Sequence, residues 1–303
     1  MNAKRKTGRV HAGLWFAAIA LVCGGLPGIA ADEPTPLPPV TSVEGNPRLP
    51  GKFVWADLVT DDVPAARRFY GRLFGWTFRD FNGYFVAMND GRPLGGLFQR
   101  PRPKDRVAEP RWFGYISVGS VRRAERAVKK AGGRVLIAPQ DMPDRGEQAI
   151  FADREGAVFG VVKSSSGDPE DFLAEPGDWI WIQLLSRDAS HAAEFYRAVG
   201  GYDIVANTAT NRLSDYVLVS EGYARATVRT IRTANPQVQP TWLPFVRVKN
   251  IGETVALAKQ LGGSVRIEPR PELLDGKVAV IADPTGAVIG IMEYQEGMLK
   301  GAR

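Results

Sequence analysis

The strongest constraint on the fold of this chain is that it repeats itself. Setting GKFVWADLVTDDVPAARRFYGRLFGW, from Gly51, against GDWIWIQLLSRDASHAAEFYRAVGGY, from Gly177, aligns Trp55 with Trp181, Asp62 with Asp188 and Phe69 with Phe195 at a constant offset of 126. Further on, Trp112 matches Trp242, Gly132-Gly133 matches Gly262-Gly263, and DREGAVFG from Asp153 matches DPTGAVIG from Asp283, now at an offset of 130. A difference of four residues arising in the middle is what one loop insertion produces, so the chain is a duplication. Whatever fold the first half takes, the second takes too.

Within each half a shorter order recurs. Phe53 to Thr60 reads as a buried strand, and Asp62 follows as a helix N-cap, with Pro64 tolerated in the first turn. Val63, Ala66, Phe69 and Leu73 then fall on one helical face, and Gly75 ends the helix as a left-handed cap. Strand-like pieces come next at GYFVAMN and GGLFQ, after which the order restarts with strand WFGYISV. Val121, Ala124, Val128 and Ala131 mark the second helix, Gly132-Gly133 stops it, and RVLIA, QAIFA and AVFGVV follow as strands. The sequence therefore predicts an α+β fold of four βαβββ modules, two per half. The repeated FY pair at Phe69-Tyr70 and Phe195-Tyr196 is expected on the inner face of the first helix of each half, as core.

The ends and the junction differ in character from the modules. Residues 1–31 place Lys4, Arg5, Lys6 and Arg9 before an apolar run from Leu14 to Val22 and a small-residue stretch. That order is a secretory signal with cleavage near Ala30 or Ala31, which predicts a periplasmic or secreted protein; a membrane contact is expected only if the segment is retained. Residues 32–50 are proline-rich and read as a semi-extended tether, 51–163 as the first domain, 164–177 as a linker, 178–294 as the second domain and 295–303 as a tail. The formal charge of +6 shrinks to about +2 without the four basic residues of the signal, so nothing in the charge calls for a nucleic-acid partner. The only cysteine, Cys23, and one of the two histidines, His11, also lie in the signal, which leaves His191 as the single histidine of a mature chain.

Four ordered βαβββ modules, those of the first half carrying WADLVT, FYGRLFGW, GRPLGG and ADREGAVFG, resemble the vicinal oxygen chelate superfamily, the glyoxalase/bleomycin-resistance/dioxygenase group. The resemblance covers residues 52–163 and 178–294. It implies two cup-shaped domains in tandem, and, for the enzymes of the group, a divalent metal held in a cup by His, Gln or Glu and acting as a Lewis acid. Carried over position by position, the ligand places fall on Trp55, Phe113, Gly160 and Gly95 or Gly96 in the first half, and on Trp181, Leu243 and Gly290 in the second. None of these side chains binds a metal, so the expectation is no metal and no other cofactor. The pairing of modules within one chain implies a monomer or a weak homodimer.

Strand alternation places Trp55, Asp57, Phe113 and Tyr115 on the face of the first cup, and Trp181, Gln183, Leu243, Phe245 and Arg247 on that of the second. Such walls suit a small aromatic or partly apolar molecule, bound through Trp55, Phe113, Tyr115, Trp181, Gln183, Phe245 and Arg247. Asp57, a carboxylate in an otherwise apolar strand, is the candidate catalytic acid or base; its counterpart Gln183 cannot transfer a proton. Arg247 is a candidate partner for a ligand carboxylate or phosphate. Three functions follow from the sequence: a metal-free ligand-binding protein, a metal-independent isomerase or lyase using Asp57, and a non-catalytic interaction scaffold.

Overall fold

In the computed structural model, residues 37–99, 109–207, 214–233 and 238–294 are described. The first module is β1 (Phe53–Thr60), α1 (Val63–Phe74), β2 (Thr77–Phe81), β3 (Tyr84–Asn89) and β4 (Arg92–Gln99). The second is β5 (Arg111–Ser117), α2 (Val121–Lys130), β6 (Arg134–Met142), β7 (Gly146–Ala152) and β8 (Val158–Ser164). The second half repeats this with β9 (Trp179–Ser186), α3 (Ala189–Gly200), β10 (Asp203–Ala206), β11 (Tyr216–Ser220) and β12 (Tyr223–Thr230). Its last module is β13 (Thr241–Val248), α4 (Ile251–Gln260), β14 (Ser264–Ile267), β15 (Val278–Ala282) and β16 (Val288–Glu293).

The α+β arrangement of four βαβββ modules is thus present. Each half forms one eight-stranded sheet, ordered β2-β3-β4-β1-β5-β8-β7-β6 in the first and β10-β11-β12-β9-β13-β16-β15-β14 in the second. In every module the first strand pairs in parallel with the last, and the helix between them makes that crossover possible. The two modules of a half join through their first strands, β1 with β5 and β9 with β13, both antiparallel. The edge strand β2 was not among the strands expected from the sequence. TFRDF is mostly exposed on both faces, so it lacks the apolar alternation that marks a strand.

Caps set the helix ends where the sequence puts them. The Asp62 carboxylate accepts from the Ala65 amide at 2.8 Å, and Asp188 accepts from the His191 amide at 3.1 Å. Gly75 and Gly201 close α1 and α3 with φ of 77° and 75°, a conformation that costs a residue with a Cβ about 1 kcal/mol or more.

The helix-bearing faces of the two sheets pack on each other. One cluster joins α2 and its strands to α3 and its strands; the other joins α1 to α4 in the same way. The FY pairs lie in these two clusters, Phe69 and Tyr70 in one and Phe195 and Tyr196 in the other, all buried. Their role is wider than packing on their own sheet. A methyl at Gly263 would lie 2.7 Å from the Phe69 ring, and one at Gly133 would lie 3.0 Å from Phe195, so the paired glycines after α2 and α4 open room for the aromatic ring of the opposite half.

The D-x-x-G-A turns complete this junction. Asp153 Oδ1 accepts from the amides of Glu155 and Ala157, which shapes the turn, while Oδ2 accepts from the Tyr196 hydroxyl of the other half at 3.2 Å. Asp283 shapes the matching turn through the amides of Thr285 and Ala287, and its carboxylate lies near enough to Tyr70 of the other half to act on it electrostatically. The Trp112 indole donates to the Tyr70 hydroxyl at 2.9 Å, and Trp242 to Tyr196 at 2.8 Å. Burial raises both aspartates above the usual carboxylate value, against the lowering effect of the amides, and together with the facing carboxylate it pushes both tyrosines well above theirs. Among the described residues no helix is long and apolar enough to cross a membrane.

The proline-rich segment and the linker are held to the first domain and to each other. Residues 37–50 form neither helix nor strand, yet Leu37 and Val40 are buried. Asp168 Oδ2 in the linker accepts from the Leu49 amide at 2.6 Å and from the Ser117 hydroxyl at 2.5 Å.

Candidate functional site

The face of each sheet turned away from the helices is the cup wall, and the two walls are finished differently. In the first cup the expected residues Trp55, Asp57, Phe113 and Tyr115 do come together, on β1 and β5. They are enclosed: Asp57 and Tyr115 are each 3% exposed. Asp57 neither faces solvent nor caps a backbone amide. Its Oδ1 accepts from the Trp55 indole at 2.8 Å and from the Tyr84 hydroxyl at 2.7 Å, and its Oδ2 accepts from the Tyr115 hydroxyl at 2.9 Å. Burial, reinforced by the charge of Asp57, raises Tyr84 and Tyr115 well above the ordinary phenol range, so both are fixed as neutral donors.

Four residues of this cup lie outside those singled out from the sequence. Tyr84 reaches Asp57 from β3 because Gly96 on β4 has no side chain; a methyl there would collide with the Tyr84 phenol. Arg145, in the turn between β6 and β7, is 1% exposed and lies 4.1 Å above the Trp55 ring. Finally, Leu37 and Val40 close the cup, packed in one cluster with Trp55, Tyr84, Phe113 and Tyr115. Glycines in a strand signal a close approach by something, but period-two alternation does not say by what.

The second cup keeps the wall without this filling. Trp181 is only partly buried, and its indole donates to the Thr227 hydroxyl at 2.9 Å. Gln183, the counterpart of Asp57, donates to the same hydroxyl at 3.2 Å. Leu243 and Phe245 form the adjacent wall, with Ile267, Leu273, Leu274 and Met292 packed around them. Arg247 is half-buried and donates to the Ala174 carbonyl of the linker, so the structure gives it a partner within the chain. A different arginine enters the cup. Arg229 stands two residues beyond Thr227 on β12, hence on the same face, and burial together with the nearby charges of Arg232 and Arg270 lowers its pKa. Period two from Thr227 would have found it, had Thr227 been recognised as the partner of Gln183.

His191, the single histidine left after the signal is set aside, lies in neither cup. It is mostly exposed at the start of α3, with Nδ1 2.5 Å from Asp188 Oδ2, beside a groove of about 320 Å³ at the junction of the halves.

Comparison with known proteins places this geometry. The model of the Glyoxalase/Bleomycin resistance protein/Dioxygenase superfamily matches residues 52–161. An anthracycline biosynthesis protein, DauV, of Streptomyces sp. (strain C5) is 31% identical over 263 residues, covering 82% of this chain and 94% of that protein. The chain belongs to the glyoxalase/bleomycin-resistance/dioxygenase superfamily. Another relative, a putative glyoxylase of Mycobacterium bovis, is 28% identical over 79% of this chain and 93% of its own length. Among solved structures, the Mn(II)-bound glyoxalase of Novosphingobium aromaticivorans superposes with a TM-score of 0.55 at 15% identity, covering 81% of this chain and 82% of that one. The 2,3-dioxygenase LapB of Pseudomonas sp. KL28 gives 0.56 at 11% identity, over 82% and 93%. These two likenesses establish the fold, with its two tandem glyoxalase-like domains.

A metal in a glyoxalase cup needs donors at the strand positions named above, and the residues there do not fit one. Trp55, Phe113, Trp181 and Leu243 carry no ligand atom suited to a divalent cation. At Gly160 and Gly290 a side chain has no room to start: the ring of Tyr115 lies flat against the first and that of Phe245 against the second, each inside contact distance of a methyl built there. Among the described residues no group of three His, Cys, Asp or Glu gathers around one point.

Proposed function

We propose that this glyoxalase-superfamily chain is an exported protein that holds a small, aromatic or partly apolar molecule in its second cup without a metal ion. The observation that carries this reading is the state of Trp181. Its first-cup counterpart, Trp55, is 2% exposed beneath residues of its own chain, whereas Trp181 remains partly open beside Gln183 and Thr227. An indole face flanked by Leu243 and Phe245 offers stacking, the Gln183 and Thr227 pair offers orientation, and Arg229 offers a cation for an acidic substituent. Two relatives named for anthracycline biosynthesis are in keeping with an aromatic ligand. Export rests on the order of residues 1–31, and the metal-free state on the chemistry of Trp55, Phe113, Gly160 and their counterparts.

Titration calorimetry of the mature protein against a panel of aromatic acids and polycyclic phenols is expected to yield a ligand whose heat disappears in Trp181→Ala. A folded sample with no binder across the panel would sink the reading. Metal analysis of the protein purified without chelator tests the other part, since stoichiometric Mn, Fe, Ni or Zn contradicts it. Intact mass showing residues 1–30 still attached in the secreted fraction contradicts cleavage. The weaker alternative, acid–base catalysis by Asp57, requires the enclosed carboxylate to lose one of its three donors and meet a substrate. Turnover that survives Asp57→Asn excludes it.

A further inference from the structure

The first cup contains a buried cation with an unused donor. Arg145 is 1% exposed, its Nε donates to the Pro38 carbonyl at 2.5 Å, and its Nη2 is buried with no hydrogen-bond partner among the described residues. Asp57 does not use this donor; its oxygens accept from Trp55, Tyr84 and Tyr115 instead. A desolvated guanidinium edge left half-paired is costly, and planar oxygen pairs such as a carboxylate match it in bidentate fashion. One short irregular segment supplies the Pro38 carbonyl to Arg145 and packs Leu37 and Val40 into the same cluster as Trp55, Phe113 and Tyr115. An oxygen toward Arg145 and an apolar body over aromatic rings are together the outline of a small aromatic or aliphatic carboxylate.

We infer that the first cup is a second binding site, for a small apolar carboxylate, and that Leu37–Thr41 occupies it as an internal stand-in which the ligand displaces. The Pro38 carbonyl is a neutral single acceptor, so a carboxylate that engages Nε and Nη2 together replaces it with a charge-assisted pair. The segment is bound by side-chain burial and the Arg145 bond rather than by strand pairing, so its release leaves both sheets intact. This site is separate from the second cup, and Trp181→Ala leaves it unchanged.

The test uses the full-length protein, with 2-naphthoate as probe and 2-naphthylmethanol as its neutral counterpart. In the wild type, saturating 2-naphthoate is expected to raise amide exchange across residues 40–45, and the alcohol is not. Leu37→Ser combined with Val40→Ser weakens the stand-in and is expected to tighten 2-naphthoate binding by about tenfold or more. Equal effects of acid and alcohol overturn the inference, as does unchanged affinity in the folded double variant. Should the double variant fail to fold, unchanged exchange at residues 40–45 in the wild type overturns it alone.

Discussion

The two cups began as copies of one design, and one register position separates them. Gly96 stands opposite Asp57 in the first sheet, and Thr227 stands opposite Gln183 in the second. A glycine admits the Tyr84 phenol to the carboxylate, and the whole first cup closes around an ion held by three donors. A threonine binds Gln183 itself, and the second cup keeps Trp181 in view with Arg229 on the same face. The same wall, Tyr115 on Gly160 and Phe245 on Gly290, can therefore serve either as a sealed polar core or as an open aromatic face.

The largest expected effect that separates the cups is on stability. Asp57→Ala strands three buried donors and is expected to cost about 3–5 kcal/mol, against about 1 kcal/mol for Gln183→Ala. Guanidinium unfolding of the two variants measures both, and equal losses would erase the contrast. Next, Gly96→Ala drives a methyl into Tyr84 and is expected to cost about 1–3 kcal/mol, whereas Thr227→Ala costs about 1 kcal/mol. A freely tolerated Gly96→Ala would mean that Tyr84 does not rest on that backbone.

A pH effect follows in size. Tyr84 and Tyr115 have folded pKa values raised above the unfolded value of 10.0, so what they contribute to stability is complete below pH 10 and is lost as pH climbs beyond it. Tyr70, Tyr196 and Tyr202 are raised as well, chiefly by burial. At pH about 11 the native protein is expected to lack the tyrosinate absorbance of these five of its eight tyrosines until it unfolds. Asp57→Asn removes the charge behind part of the shift, and should bring Tyr84 and Tyr115 toward earlier ionisation while leaving the other three in place. The smallest expected effect is optical. Trp181→Phe should remove more acrylamide-quenchable fluorescence than Trp55→Phe, and the reverse order would show the first cup to be the open one.

Most of the frame was legible in the sequence because it is local. β1 runs from Phe53 to Thr60 as its apolar run suggests, and α1 starts after Asp62 and stops at Gly75 because a cap is a contact between residues three or four apart. The duplication then fixed the second half by copying. The cup walls were legible as faces, since Trp55, Asp57, Phe113 and Tyr115 do share one. What fills a face was not. Arg145, Tyr84 and Leu37 reach Asp57 and its neighbours from distant points in the chain, and alternation along one strand carries no information about its visitors. Arg247 shows the same limit, since its bond to Ala174 depends on where the linker runs.

The hydrogen bond of Tyr196 to Asp153 and the electrostatic coupling of Tyr70 to Asp283 have a bearing on the history of the chain. A freshly duplicated gene yields two interchangeable copies, either of which can be lost. Once each copy buries a phenol beside a carboxylate of the other, and one glycine of each copy is cut to fit the other's phenylalanine, a deletion of either leaves a hole in the survivor. Redundancy has been converted into mutual dependence, which works as a ratchet: the two halves are free to diverge at their cups, as Asp57 and Gln183 have done, because selection on the junction no longer lets them part.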